Sequence, residues 1–481
     1  MANARKTSGW RAAFVALGAL GVTNIGGRLS SHIQDLPFDW LGGPAQAKPA
    51  ASPTLLSSAD VSWLFPAPLK RADLNRVLAI KDLVSKDPKN PTQQEPVWPD
   101  SAFKQLLAIA ASPAGQVDGS ARIGLPKDAL TIDAWHIAGI RIDAGAPGLS
   151  KNIIEQFGQS PQIRLIVQPV IKNAAGEPEI QDIAVHLIYT FTDGEDAPAQ
   201  PGCFTRPKPD TAAFKQIVVE LTDLKTKLAA GRFGRHRVTT TTAALGAHPG
   251  LTDATTRDGV RIAMKAFLER HLSGARLRAM AIMGLPADKA EPWIFLSMAP
   301  IPAGVSPLLP NGGFIPVHGP ALDGTQFAQM LDPNASGNKV VPKPSPNNLN
   351  PITCQHAALI QPVPEPAKRK GVSTADLFAG QTPGPAEIKT ILDTIADPRK
   401  SHFFNTDCVS CHTDTRRSIE LLQTKAIAGV DTKALPNGPW NVRNFGWSPP
   451  IEGPVQATVS RRTAEETAEV VKFINDSLAA K

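Results

Sequence analysis

Two rhythms of apolar and polar positions run along this chain. Over 183–191, Ile183, Val185, Leu187, Tyr189 and Phe191 fall on one side of an extended segment, with Ala184, His186 and Ile188 on the other. A period of two is the mark of a half-buried strand. Segments 132–142 and 162–171 are rich in β-branched residues and bounded by turn formers, and 275–283 with 292–299 reads as a further pair of strands. Elsewhere the period lengthens. Phe214, Ile217, Val218, Leu221 and Leu228 recur at helical spacing, which predicts a helix over 212–229; 101–111, 260–272 and 386–396 read the same way. Over 462–479, Ala464, Thr467, Val470, Val471, Ile474 and Leu478 form one apolar stripe, suited to packing on a core. The pattern predicts an α+β region over 61–360, a sandwich-like sheet with helices, followed by a small all-α domain over 374–481.

The punctuation divides the chain further. Residues 48–60 and 361–373 are rich in Pro with Ala, Ser or Lys and read as linkers. A chain of 481 residues is too long for one small core, and 45 prolines favour turns and extended connections over a helical bundle. The net charge of +7 is modest and its Lys and Arg are scattered, which argues against nucleic acid as a partner. Either a mildly basic docking face or an ordinary solvated surface satisfies that charge.

Residues 1–47 read as an export signal. Arg5, Lys6 and Arg11 precede an apolar run over 12–22 (AAFVALGALGV), well short of the ~20 residues a spanning helix needs. Ala45-Gln46-Ala47 has the pattern of a cleavage site. The other reading of the run is an uncleaved amphipathic or buried helix. No other stretch is apolar enough to span a bilayer, so none is expected in the mature chain.

The chemistry concentrates at Cys408-Val409-Ser410-Cys411-His412, the C-x-x-C-H pattern of c-type haem attachment. Thiols three residues apart on one helical turn point the same way and can reach two vinyl groups on one haem edge. The next residue then turns its imidazole towards iron. With 4 Cys and 10 His in the chain, about 0.001 such motifs arise by chance. A zinc site would need a second ligand pair, and no other C-x-x-C or H-x-x-x-H occurs. A redox dithiol would follow a strand in a βαβ unit, which this pattern lacks.

Residues 374–481, a helix followed by CVSCH, a second helix and a terminal amphipathic helix, resemble a single-haem c-type cytochrome domain. The resemblance covers about a quarter of the chain and rests on the five-residue motif. It implies one covalent haem c on Cys408 and Cys411, His412 as proximal iron ligand, a periplasmic or otherwise exported location, and electron transfer with a redox protein partner. A non-enzymatic carrier is the first expectation. Two alternatives stay open: a haem enzyme or a peroxide- or gas-binding protein with an open distal site, and a partner-binding protein in which 61–360 carries the activity.

One departure matters. Many such domains supply a methionine after the motif as sixth ligand, and neither Met nor His follows His412 here. The sulfur candidates are Met264, Met280, Met283, Met298 and Met330. Met298 (FLSMAP) is the distal candidate, at the end of an apolar strand, with core packing as its other reading. His318 and His356 fall in loop-like stretches, and His402 is too near the motif in sequence to reach the opposite haem face. Cys203 and Cys354 are left over and read as one disulfide, or as two buried thiols. Arg416, Arg417 and Arg443 could serve haem propionates, and Trp440 and Trp447 could cover a haem face; a solvated pair of arginines and ordinary core tryptophans are the alternatives. His136 and His186 read as structural strand histidines, and His236, among Arg232, Arg235 and Arg237, as surface.

Overall fold

The structure is a computed structural model. It describes residues 55–86, 94–111, 123–146, 158–196, 206–241, 244–285, 294–301, 311–316, 385–401, 408–438, 441–450 and 454–479, with a few single positions between them. The export segment 1–47, the Ala45-Gln46-Ala47 pattern, the linker 361–373, Cys203, Cys354, Met330, His318, His356, His402 and Trp440 lie outside the described residues.

The alternating segments form one large antiparallel sheet. Its strands are β1 (Ser62–Leu64), β2 (Leu78–Ala79), β3 (Trp135–Ala146), β4 (Ser160–Lys172), β5 (Pro178–Ile180), β6 (Ile183–Thr190), β9 (Leu277–Gly284), β10 (Ile294–Ile301) and β11 (Gly313–Pro316). The path runs β1-β3-β4-β6-β9-β10-β11, with β2 on β3 and β5 on β4. Strands β7 (Thr192–Asp196) and β8 (Arg206–Pro209) pair separately. The helical periods become α1 (Asp100–Ala110), α2 (Thr211–Ala229), α3 (Arg257–His271), α4 (Pro385–Ala396), α5 (Cys408–Leu421) and α6 (Arg461–Ala479). Asp210 caps α2, its carboxylate accepting from the Ala213 N–H at 3.0 Å.

Partners in register on antiparallel strands share a face, so side-chain rows can be followed across the sheet. Leu165, Leu187, Met280 and Met298 form one row, each at most 1% exposed. On that face Trp63, paired with Ile140, stacks on His248 at 3.7 Å. The Tyr189 hydroxyl there donates to the Val97 carbonyl at 2.9 Å. The hydrophobic cluster continues into Phe214, Ile217 and Leu221 of α2 and Val260, Met264 and Phe267 of α3. The opposite face carries the row Gly139, Ile166, His186, Ala281 and Ser297. Beside it lie His136 with Gln168, and Ala184 with Met283 and Phe295.

The C-terminal segment covers that second face. The Gln168 amide donates to the Trp447 carbonyl at 2.9 Å and accepts from its N–H at 2.7 Å, acting as one more rung of backbone pairing. The Trp447 indole donates to the Phe65 carbonyl at 2.8 Å. Arg141 of β3 meets Glu466 of α6 at 2.7 Å. Burial alone would raise the Glu466 carboxyl, yet Arg462, Arg141 and Arg164 hold it well below the usual carboxylate range. The approach is close: a Cβ at Gly139 would stand 2.7 Å from the Phe445 ring, and one at Gly446 would stand 2.6 Å from Gln168 Oε1.

Two expectations need correction. The sheet is not half of a sandwich: among the described residues, its second face meets helices and a short ladder rather than another large sheet, because the amphipathic C-terminal helices supply the cover. Nor is the C-terminal segment all-α, since β12 (Phe445–Trp447) pairs antiparallel with β13 (Ala457–Val459) between α5 and α6.

Two measurements check this packing. Gly139→Ala places a methyl against a Phe445 ring that is only 2% exposed. It should cost about 1–3 kcal/mol in denaturant unfolding, the usual penalty of overpacking. His248 should govern part of the acid sensitivity. Burial pushes its imidazole down to about 3, against ~6.5 in the unfolded chain. Between those values the unfolded chain binds a proton that the folded chain refuses, so the stability present above pH 6.5 is lost as pH falls. At pH 5 the loss from this group is about 2 kcal/mol. Because Nδ1 accepts from the Gly250 N–H at 3.1 Å, His248→Asn keeps an acceptor there and should flatten the pH 5–7 slope of the unfolding midpoint.

Candidate functional site

The motif opens helix α5, with Cys408 at its first position and Cys411 three residues on. That spacing places the two on one side of the first turn; for Cys408 only the backbone is described. The helix closes at Gln423, whose φ of 52° is the left-handed conformation of a C-terminal cap. There the Thr424 N–H and the Leu422 N–H both donate to the Ser418 carbonyl at 3.2 Å, satisfying a carbonyl of the last turn. Its flank is pinned to α6, where the Arg461 N–H donates to Thr415 Oγ1 at 2.8 Å.

His412 is half-buried at the contact between α5, the loop before β12 and the sheet. Its Nδ1 lies 2.9 Å from the Val442 carbonyl oxygen. A carbonyl only accepts, so Nδ1 carries the proton and Nε2 keeps its lone pair. Burial pushes the imidazole down to about 4; the Val442 carbonyl opposes the shift and the Arg443 charge adds to it. The ring is therefore neutral at pH 7, and its tautomer is the one a metal-binding Nε2 requires. Phe295 of β10 packs against it, ring centroids 4.9 Å apart. Asn444 Nδ2 approaches Cys411 Sγ at 3.9 Å.

Arg443 lies behind the histidine. It is 3% exposed and pairs with Asp182, the residue before β6. Its Nε and Nη1 are buried with no hydrogen-bond partner among the described residues. Such donors suit an anionic group. The residues present thus fit a haem: two cysteines on one turn, an imidazole with a free Nε2, and buried guanidinium donors for a propionate. Among the described residues no group of three or more His, Cys, Asp or Glu converges on a metal position, and a haem iron needs none. No described helix is long and apolar enough to cross a membrane.

The other residues singled out from sequence fall as follows. Met298 lies in the Leu165–Met298 row, on the face of the sheet away from Phe295 and His412, and is 1% exposed. Met280 shares that row and Met264 is 1% exposed within α3. Met283 is on the site-facing side, in register with Phe295. Arg416 pairs with Glu420 at 2.5 Å and donates to the Pro436 carbonyl. Arg417 and Trp447 are fully buried. His136 bonds the Ala134 carbonyl at 2.9 Å, the arrangement of a structural histidine. His236 pairs with Asp253 at the surface. His186 faces the site, half-buried, and burial first, then unfavourable electrostatic interactions with His412 and Arg164, hold its imidazole well below the usual range. Sequence reasoning missed Phe295, Val442 and Asp182. Val442 acts through its backbone, which leaves no trace in residue type.

Comparison with family models, with curated proteins and with solved structures finds no match for this chain.

The Arg443–Asp182 pair offers a direct check on how the site is held. Asp182→Ala leaves the guanidinium buried without its carboxylate and should cost about 3–5 kcal/mol in chemical denaturation. Adding Arg443→Met to that variant should restore most of the loss.

Proposed function

We propose that this protein is an exported c-type cytochrome with one haem joined to Cys408 and Cys411, its iron held by His412, that transfers electrons to or from a redox protein. The observation that carries the reading is the His412–Val442 hydrogen bond. The attachment motif by itself specifies residue types; this bond fixes the tautomer and the ring direction that iron ligation needs. Bound haem supplies a one-electron iron couple. Around it, His412 would offer its Nε2 lone pair to the iron, Arg443 its buried donors to a propionate, and Phe295 would keep water from one side of the imidazole. Helices α4, α5 and α6 then form a cytochrome-like unit whose far side is the large sheet instead of a loop of its own. Residues 61–360 serve as the wall of the haem site and as scaffold, and the basic start of the chain with its short apolar run serves export.

The test is maturation in a host competent for covalent haem attachment. The recovered protein should be red, carry the mass of the chain without its leader plus one haem, and give the alkaline pyridine spectrum of a haem with two thioether bonds. Changing both Cys408 and Cys411 to serine should abolish covalent attachment while leaving the far-ultraviolet circular dichroism in place. Colourless protein of bare polypeptide mass from that host refutes the proposal.

A further inference from the structure

We infer that His186 of β6 is the second axial ligand of the iron, opposite His412. The inference rests on the haem reading above and supplies what the chain after His412 lacks. Register places His186 on the face of the sheet that α5 and the β12 ladder cover: it pairs with Ile166 and Ala281, and Gly446 of β12 approaches Ile166 on that same face. An imidazole in the middle of a covered sheet normally finds a hydrogen-bond partner. The His186 ring is half-buried with no hydrogen-bond partner among the described residues, whereas His136 on the same face bonds the Ala134 carbonyl, so the His186 nitrogens stay open to a further partner. A metal ion is a partner that a neutral imidazole accepts in place of a proton donor.

The spacing favours His186 over the sulfur candidates. Met280 and Met298 project from the other face, and Met264 is enclosed by the core. Met283 shares the site-facing side but stands directly beside Phe295, whose ring already lies against His412. It is 4% exposed, packed beside the ring that covers the proximal imidazole. His186 lies two strands across and two residues along from Phe295. At ~4.8 Å per strand and ~3.3 Å per residue, their Cα atoms are about 12 Å apart. Its row continues through Ala281 and Ser297, and Ala279 follows two residues beyond Ala281 on the same face. Such short side chains give a flat ring somewhere to lie. The chain folds its own distal wall from the sheet, so a loop after the motif is dispensable.

The experiment uses the haem-loaded full-length protein. Ferric wild type should be low-spin, with the electron paramagnetic resonance of two imidazoles, and its ferrous form should not take up carbon monoxide on mixing. His186→Ala should retain covalent haem, become high-spin, and bind carbon monoxide at once. Added imidazole should return it to the low-spin spectrum. His186→Met should show the spectrum of a histidine–methionine pair or a high-spin iron, and Met283→Leu should leave the wild-type spectrum unchanged. Haem-containing His186→Ala with an unaltered low-spin spectrum overturns the assignment, as does loss of that spectrum in Met283→Leu, or a wild type that is high-spin. Should neither His186 variant accumulate, the wild-type resonance decides: a histidine–methionine or high-spin signature rejects the assignment, and a bis-imidazole signature sustains it. Each of these failures leaves a red, haem-bearing protein, whereas failure of the haem reading leaves a colourless one.

Discussion

The docking of the C-terminal segment on one face of the large sheet is the constraint from which the candidate site follows. Three different kinds of contact hold it. The Gln168 amide pairs with the Trp447 backbone, Arg141 meets Glu466, and Arg443 is buried against Asp182. Amide pairing sets register, because both a donor and an acceptor must match. The ion pairs set orientation, since a buried guanidinium left without its carboxylate is costly. Together they bring His412 to Phe295 and fix which strand lies across from the motif.

That arrangement gives the upstream region a definite part. A small helical unit with its own distal loop could carry haem while tethered to anything. Here Gly139 and Gly446 admit an approach that a Cβ at either position would block, so the sheet and the segment after α5 are shaped to each other. On the proposed reading, the polarity and solvent access of the haem pocket are then set jointly by two parts of the chain far apart in sequence. Reduction potentials respond to such second-sphere features. On that reading residues 61–360 would bear on the redox chemistry itself, and a docking partner would meet a haem edge framed by both layers.

How much of this could be read from the sequence varies with how local the cause is. The strand over 183–191 and the helix over 212–229 were legible because burial on one side imposes a period, and the structure has β6 and α2 there. The paired strands near 275–283 and 292–299 were legible for the same reason. The β12–β13 ladder was not: Phe445–Trp447 and Ala457–Val459 have three residues each, too few to display a period, and a glycine interrupts the first. Met298 shows the limit most clearly. Alternation says that it opposes Ser297, but nothing local says which of those two faces a second layer will cover. The motif at 408–412 was legible because its chemistry is written in residue types at fixed spacing. The Val442 carbonyl, which orients His412, is a backbone group that any residue at that position would supply.

His186 joins the local and the distant causes. Within its strand it is one polar residue on the less apolar side, which on sequence grounds resembles any structural histidine. Its significance comes from the C-terminal segment, about 220 residues later, closing over that side. A polar side chain at the centre of a broad sheet is tolerated only if something compensates its burial. His136 finds that compensation in a carbonyl two residues away. For His186, no described group offers such a bond, and after burial itself the interaction with His412 is what most disfavours its protonation. His412 has committed its N–H to Val442 and keeps a lone pair on Nε2, and His186 faces the same interface with a ring nitrogen of its own to place. On the proposed reading, the iron of a haem joined at the C-x-x-C-H motif would take up both lone pairs.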